Sequence, residues 1–226
     1  MLDIYLIRHG ESDMNANHNH LICGRSNHTN LSERGIYQAD LLGKRLNQEG
    51  VRFDNVYSSI AVRALDTAKI VCKYINYSLD EIIQSDQLVE LNQGDWEGKL
   101  RNEIYTSEIL ASIAVHPLTF KAPEGESQYE VQERMTYCVR KIIAQNLNIG
   151  ENIPNYHQTI GIFSHGTAIK CFLRGIMNWD PNMTYKTTLD NTSISRLKYN
   201  QKGWHLLGIN DTAHLLGQNI VEDLGY

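Results

Sequence analysis

The chain has no apolar run approaching the ~20 residues that a membrane-spanning helix needs. Its first apolar run, Ile4-Tyr5-Leu6-Ile7, stops at Arg8, well short of a secretory h-region. No membrane association and a cytoplasmic location are the expectations. Paired cysteines are also missing. Cys23, Cys72, Cys138 and Cys171 lie far apart with no C-x-x-C spacing, which argues against a zinc ribbon and a dithiol redox motif. Cys72, Cys138 and Cys171 have mostly apolar neighbours and read as small, reduced core residues. There is no basic excess either: 21 Lys and Arg stand against 26 Asp and Glu, a net charge of -5. Nucleic acid is therefore not an expected partner, although local cations remain for a small anion. Repeats, low-complexity tracts and interdomain linkers are absent. At 226 residues the length suits one core, so residues 1–226 are expected to form a single domain.

What the chain does have is alternation. Residues 3–8 read as a strand. Residues 33–49 read as a helix with Ile36, Ala39, Leu42 and Leu46 on one stripe, Gly43 on that face for close packing, and Gly50 as its C-terminal cap. Residues 54–58 form a second strand and 61–76 a second helix. Such βαβα order predicts a three-layer α/β/α sandwich with a mostly parallel central sheet. Between 86 and 120 the period is mixed. Leu88, Leu91, Trp96 and Leu100 are expected to pack, and a helix over about 102–114 should end at His116-Pro117. Ser127 and Glu130 fit a capping box for a helix whose apolar face carries Val131, Met135, Cys138, Val139, Ile142 and Ile143. A third strand at 159–164, a helix at 166–177 and a hairpin of 193–199 with 204–209 complete the pattern.

Arg8-His9-Gly10-Glu11-Ser12 closes the first strand, and Ser164-His165-Gly166-Thr167 closes the third. Two strand-end histidines, each followed by glycine, point to one site at the carboxyl edge of the sheet, where open α/β folds bind ligands. Either histidine taken alone is as well explained by packing. Together with further segments they carry more. In order, these are Asn15, Leu31-Ser32-Glu33-Arg34-Gly35 with Gln38-Ala39, Tyr57-Ser58-Ser59 with Arg63-Ala64 and Thr67-Ala68, and Glu90 with Gly94-Asp95-Trp96-Glu97-Gly98. With these segments, nearly the whole chain resembles the histidine phosphatase superfamily, the group that includes cofactor-dependent phosphoglycerate mutases.

The resemblance implies a phosphate pocket of Arg8, His9, Arg63 and His165. A neutral imidazole at His9 would attack phosphorus and form a phosphohistidine, and neighbouring cationic charge favours the neutral ring. The Arg8 and Arg63 guanidinium groups match phosphate oxygens. His165 would donate to the phosphoryl group, with help from the Gly166 backbone at the start of the next helix. A carboxyl must protonate the leaving alkoxide and later take a proton from water. The resemblance points to Glu90, with Asp95 and Glu97 as nearby rivals, and the segment around Trp96 looks like turn chemistry with the indole buried. Asn15 aligns with a family asparagine that would bind a phosphate oxygen. Its competing reading is a loop residue satisfying the backbone. Between Gly24 and Ser32 the chain departs from the commoner family pattern, with Asn30 where proline is usual. The His18-Asn19-His20 pair does not set a metal geometry, and neither metal nor cofactor is expected.

Three functions fit these residues. The first is a metal-independent phosphomonoesterase acting on a small phosphorylated metabolite. The second is a cofactor-dependent phosphoglycerate mutase. The third is a non-catalytic phospholigand-binding protein. The mutases of the resembled family carry a longer insertion with paired arginines. Here Ala111 to Ser127 has no arginine and only Lys121, with Ile113, Val115, Leu118 and Phe120 prominent. A phosphatase with a partly apolar lid at about 100–126, which would select the substrate, is the expectation. Retention of His9, Glu90 and His165 argues against a pure binding role. A homodimer is a further possible state.

Overall fold

The side chains of the first strand alternate between two cores. In a computed structural model that describes residues 1–148 and 156–217, β1 (Leu2–Arg8) sends Leu2, Ile4 and Leu6 into one apolar cluster and Tyr5 and Ile7 into another. A strand buried on both faces belongs inside a covered sheet. The other strands are β2 (Asn55–Ser59), β3 (Ile83–Ser85), β4 (Gln158–Ser164), β5 (Ile194–Asn200) and β6 (Gly203–Asp211). Their order is β3-β2-β4-β1-β5-β6. The first four run parallel, while β5 and β6 are antiparallel. The expected sandwich and its terminal hairpin are both present.

The helices are α1 (Asp13–Asn17), α2 (Glu33–Gln48), α3 (Val62–Tyr74), α4 (Arg101–Ile104), α5 (Ser107–Val115), α6 (Gln128–Asn148), α7 (Gly166–Met177) and α8 (Met183–Lys186). α2 and α3 pack on the Tyr5–Ile7 face, and α6 and α7 cover the other. Gly43 lets them approach: a Cβ there would lie 2.5 Å from the Tyr74 ring. Ser127 and Glu130 form their capping box, with the Ser127 N–H donating to Glu130 at 2.7 Å and the Glu130 N–H to Ser127 Oγ at 3.2 Å. All six apolar residues expected on the inner face of α6 are buried, as are Cys72, Cys138 and Cys171, and the thiols are free.

Some expectations fail in informative ways. Ile36 is 47% exposed, because the buried face of α2 is Gly35, Gln38, Ala39, Leu42, Gly43 and Leu46. A buried polar residue, Gln38, turned that face away from the simplest apolar stripe. The expected helix over 102–114 is two pieces, since Thr106 accepts the Ile109 N–H at 3.4 Å and caps α5 afresh. Leu100 is exposed, and Trp96 is only half-buried, flanked by Tyr105 and Phe120. β3 and α1 were not anticipated. The carboxyl-terminal end of the expected 1–226 domain lies outside the described residues.

Candidate active site

Register brings the two motifs together. Arg8 pairs with Ser164 across β1 and β4, so His9 and His165 leave the sheet side by side at its carboxyl edge. Their rings meet edge to face with centroids 5.0 Å apart. The His9 backbone is held on three sides. Its N–H donates to the Ser164 carbonyl at 3.0 Å, and its carbonyl accepts from Thr192 N–H at 3.2 Å and Asn191 Nδ2 at 3.0 Å. The following turn is fixed by α2 and α3: Gly10 N–H donates to Thr67 Oγ1 at 3.0 Å, and Glu11 N–H to Gln38 Oε1 at 2.8 Å. Glycine is required on both sides of that contact. A Cβ on Gly10 would lie 2.5 Å from the Gly35 carbonyl oxygen, and one on Gly35 would lie 1.9 Å from that of Glu11.

The His9 ring has one consistent tautomer. Arg63 Nε–H donates to His9 Nε2 at 3.2 Å, so Nε2 carries a lone pair and the proton sits on Nδ1. Nδ1–H donates to the Gly10 carbonyl at 2.6 Å. Burial, then the charges of Arg63 and Arg8, holds the imidazole pKa well below its ordinary value, and the Gly10 hydrogen bond opposes them only in part. The ring is neutral at physiological pH. Arg63 is itself buried and does not pair with the neighbouring Asp66, which pairs with Lys69. Its remaining nitrogens donate to the Ser26 and Arg25 carbonyls at 2.9 and 3.0 Å. The atypical 24–32 loop thus aims one of the two cations.

His165 is fully buried behind His9. Its Nε2 meets Ser59 Oγ at 2.8 Å, and its Nδ1 has no hydrogen bond among the described residues. Burial first, then Arg63, pushes its pKa well down too. Glu90 Oε2 accepts the Thr167 N–H, and Oε1 the Ala168 and Leu91 N–H groups, at 3.0, 3.0 and 2.8 Å. The first turn of α7 therefore holds the Glu90 carboxyl group through its backbone N–H groups. Arg134 braces the segment below, donating to the carbonyls of Gln87, Val89 and Glu90 at 2.8–3.0 Å. Of the rival acids, Glu97 accepts the N–H groups of Arg25 and Gln93, and Asp95 is exposed.

Arg8, His9, Asn15, Arg63 and Glu90 line a cleft of about 900 Å³; His165 and Gly166 do not, and α7 meets the cleft at Thr167 instead. Asn15 also fills the role weighed against ligand binding: it forms a capping box with Ser12, its Oδ1 accepting from Ser12 Oγ at 2.9 Å. The 100–126 segment, expected to select substrate, contributes Arg101 to the cleft wall. Most of the remaining rim comes from 14–29 and 185–191. No residue of α5 is buried, and Phe120 turns to Trp96 instead. Arg34, Arg101, Lys170 and Asn191 also line the cleft. Two of them had a visible signal: Arg34 within the Leu31–Gly35 segment, and Lys170 one helical turn beyond Thr167 on the helix that His165 opens. Among the described residues no cluster of His, Cys, Asp or Glu could hold a metal ion, and no helix is long and apolar enough to cross a membrane.

This fold, with paired histidines and arginines at its sheet edge, is that of the histidine phosphatases. The chain belongs to the histidine phosphatase superfamily (branch 1), whose family model matches residues 4–212. A probable phosphoglycerate mutase, GpmB, of Yersinia pestis is 30% identical over 222 residues, covering 95% of each chain. A phosphoserine phosphatase variant from Entamoeba histolytica, solved with phosphoserine, is 27% identical with a TM-score of 0.77, over 96% of this chain and all of that one. YhfR of Bacillus stearothermophilus is 28% identical with a TM-score of 0.78, over 95% and 100%.

Proposed function

We propose that the protein is a metal-independent phosphomonoesterase that works through a phosphohistidine at His9. The observation that carries this reading is the neutral His9 ring, with its lone pair on Nε2 and Arg63 and Arg8 beside it. A phosphate dianion entering the cleft offers Arg63 a stronger acceptor than an imidazole nitrogen. The Arg63 N–H moves to a phosphoryl oxygen and frees the Nε2 lone pair. Nε2 then attacks phosphorus and the ester oxygen departs with the proton of Glu90. Water next attacks the phosphohistidine, gives its proton to Glu90, and releases inorganic phosphate and neutral His9. The arginines neutralise the equatorial oxygens throughout. Asn15 faces the same cleft and supplies a further phosphate contact, while His165 positions the His9 ring from behind.

Hydrolysis is favoured over mutase chemistry by the open cleft, to which the 100–126 segment adds Arg101 alone. A mutase must keep water from the phosphohistidine. Phosphatase names among the solved relatives support the same direction, while the GpmB resemblance keeps the mutase assay informative. The test is phosphate release from a panel of phosphomonoesters in EDTA, beside a 3-phosphoglycerate mutase assay. Release that persists in EDTA and disappears in His9→Ala is expected. Isomerisation without release would overturn the hydrolytic reading.

A further inference from the structure

We propose that Thr192 and His214 are positioning residues for His9. Together they form a buried strut, reaching in from the turn after β6, that sets the plane of the His9–Gly10 peptide and through it the aim of the His9 ring. This deepens the reading of His9 as the nucleophile and rests on it.

Backbone conformation is the starting observation. Thr192 has a φ of 58°, in the left-handed region, which β-branched residues seldom enter because Cβ crowds the neighbouring carbonyl. It is also fully buried. A residue in that conformation persists only where its surroundings hold it, and such residues cluster at functional sites. Here the conformation aims a donor. Thr192 N–H donates to the His9 carbonyl at 3.2 Å, beside Asn191 Nδ2 at 3.0 Å, and the Ser193 carbonyl accepts the Arg8 N–H at 3.2 Å. The other edge of the His9–Gly10 peptide, the Gly10 N–H, is fixed by Thr67 Oγ1 at 3.0 Å. That peptide is thereby pinned on both edges, and the Gly10 carbonyl that follows it holds the ring at Nδ1.

His214 supplies the hold on Thr192. The Thr192 hydroxyl has one proton and donates it to the Asn191 carbonyl at 2.7 Å. Its contact with His214 Nε2 at 2.8 Å therefore has the imidazole N–H as donor. Burial lowers the His214 pKa to about 4, so that donor is a neutral ring. The turn that carries it is tied to α2 by the two-pronged Arg45–Asp211 pair, at 2.8 and 2.6 Å. Asn210 and Asp190 exchange two further hydrogen bonds at 2.7 and 2.9 Å, which fix the entry of the 190–193 loop. Neither Thr192 nor His214 lines the cleft, so both act through the His9 backbone.

The experiment measures p-nitrophenyl phosphate turnover and inorganic phosphate inhibition in wild type, His214→Leu and His214→Gln. Leucine removes the donor, and glutamine places an amide N–H near the position of Nε2–H. His214→Leu is expected to lower kcat at least tenfold while phosphate affinity, set by the arginines, changes less than threefold. His214→Gln should recover most of the loss. Glycine takes the left-handed conformation without being held there, so in a Thr192→Gly background the further step His214→Leu should cost less than threefold. Thr192→Val keeps the branched shape without the hydroxyl. It should show the same loss in kcat alone, and it decides the question if His214→Leu does not fold. Normal kcat in a folded His214→Leu or Thr192→Val variant would overturn the strut. So would equal losses in both backgrounds, or a loss of phosphate affinity that parallels kcat. Proton NMR of the His9 Nδ1–H, assigned by its absence in His9→Ala, reads the same coupling without turnover. The resonance should move in His214→Leu and return in His214→Gln, and an unmoved resonance would overturn the proposal. If wild type turns over no ester, the phosphatase reading fails, and the resonance still decides whether the strut holds the ring.

Discussion

At the scale of single residues, chemistry is set by which partner each polar atom keeps. The His9 Nδ1 proton is committed to the Gly10 carbonyl, and Nε2 keeps the lone pair that the proposed attack on phosphorus uses. Ser59 and Thr67, both within the segments that carry the family resemblance, hold His165 and the Gly10 turn. Glu90 is placed by three backbone N–H groups rather than by another side chain, so exchanging its acid for an amide should disturb proton transfer more than folding. Glu90→Gln is expected to slow an alkyl ester with a poor leaving group by 10²–10⁴-fold, in the range of general acid–base contributions, and p-nitrophenyl phosphate much less. Steady-state rates on the two esters test this, and equal losses would remove Glu90 from the role of acid. The histidine motifs were legible because each closes an apolar strand run and is followed by glycine. Spacing alone left Asp95 and Glu97 as rivals of Glu90 for the proposed acid. The fold adds that Glu97 accepts loop amides while Glu90 faces the cleft.

Elements position those residues through close backbone contact. The start of α2 lies against the turn after β1, and Gly10 and Gly35 leave no room for a side chain there. Gly35→Ala should push α2 away from the turn. Overpacking of this kind costs about 1–3 kcal/mol, and the displaced turn should lower kcat at least tenfold. Urea unfolding and steady-state kinetics on the variant check both, and near-normal stability with near-normal rate would mean the contact is softer than the geometry implies. The same contact explains what periodicity missed. α2 presents Gly35 and Gln38 inward to serve the turn, so Ile36 faces solvent. Regular helices such as 166–177 were readable because packing against the sheet fixed their period. The 86–126 stretch resisted because Thr106 restarts a helix and the segment packs by scattered aromatic contacts. Which loops form the cleft rim depends on long-range docking that no local pattern encodes.

Across the whole molecule, an active site built from buried neutral histidines ties folding to pH. His9 and His165 have folded pKa values pushed well below the ordinary 6.5, and burial lowers that of His214 to about 4. In the unfolded chain these rings take up protons near pH 6.5, so below that pH the unfolded state binds more protons and folding stability falls as pH falls. Each such ring adds up to about 1.4 kcal/mol per pH unit. Urea-derived stability is therefore expected to drop by about 2–4 kcal/mol between pH 6.5 and 5, above the main carboxylate range, and a flat profile would mean that the rings are solvated. The sandwich that buries them also aligns β1 with β4 and so creates the site. The central claim is that His9 carries the phosphoryl group. The most direct measurement is rapid quenching of the protein at alkaline pH during turnover of a phosphomonoester, followed by peptide mass spectrometry. One added phosphoryl group on the His9 peptide, absent from a folded His9→Ala variant that no longer turns over, is the predicted result. Normal turnover by that variant would contradict the account.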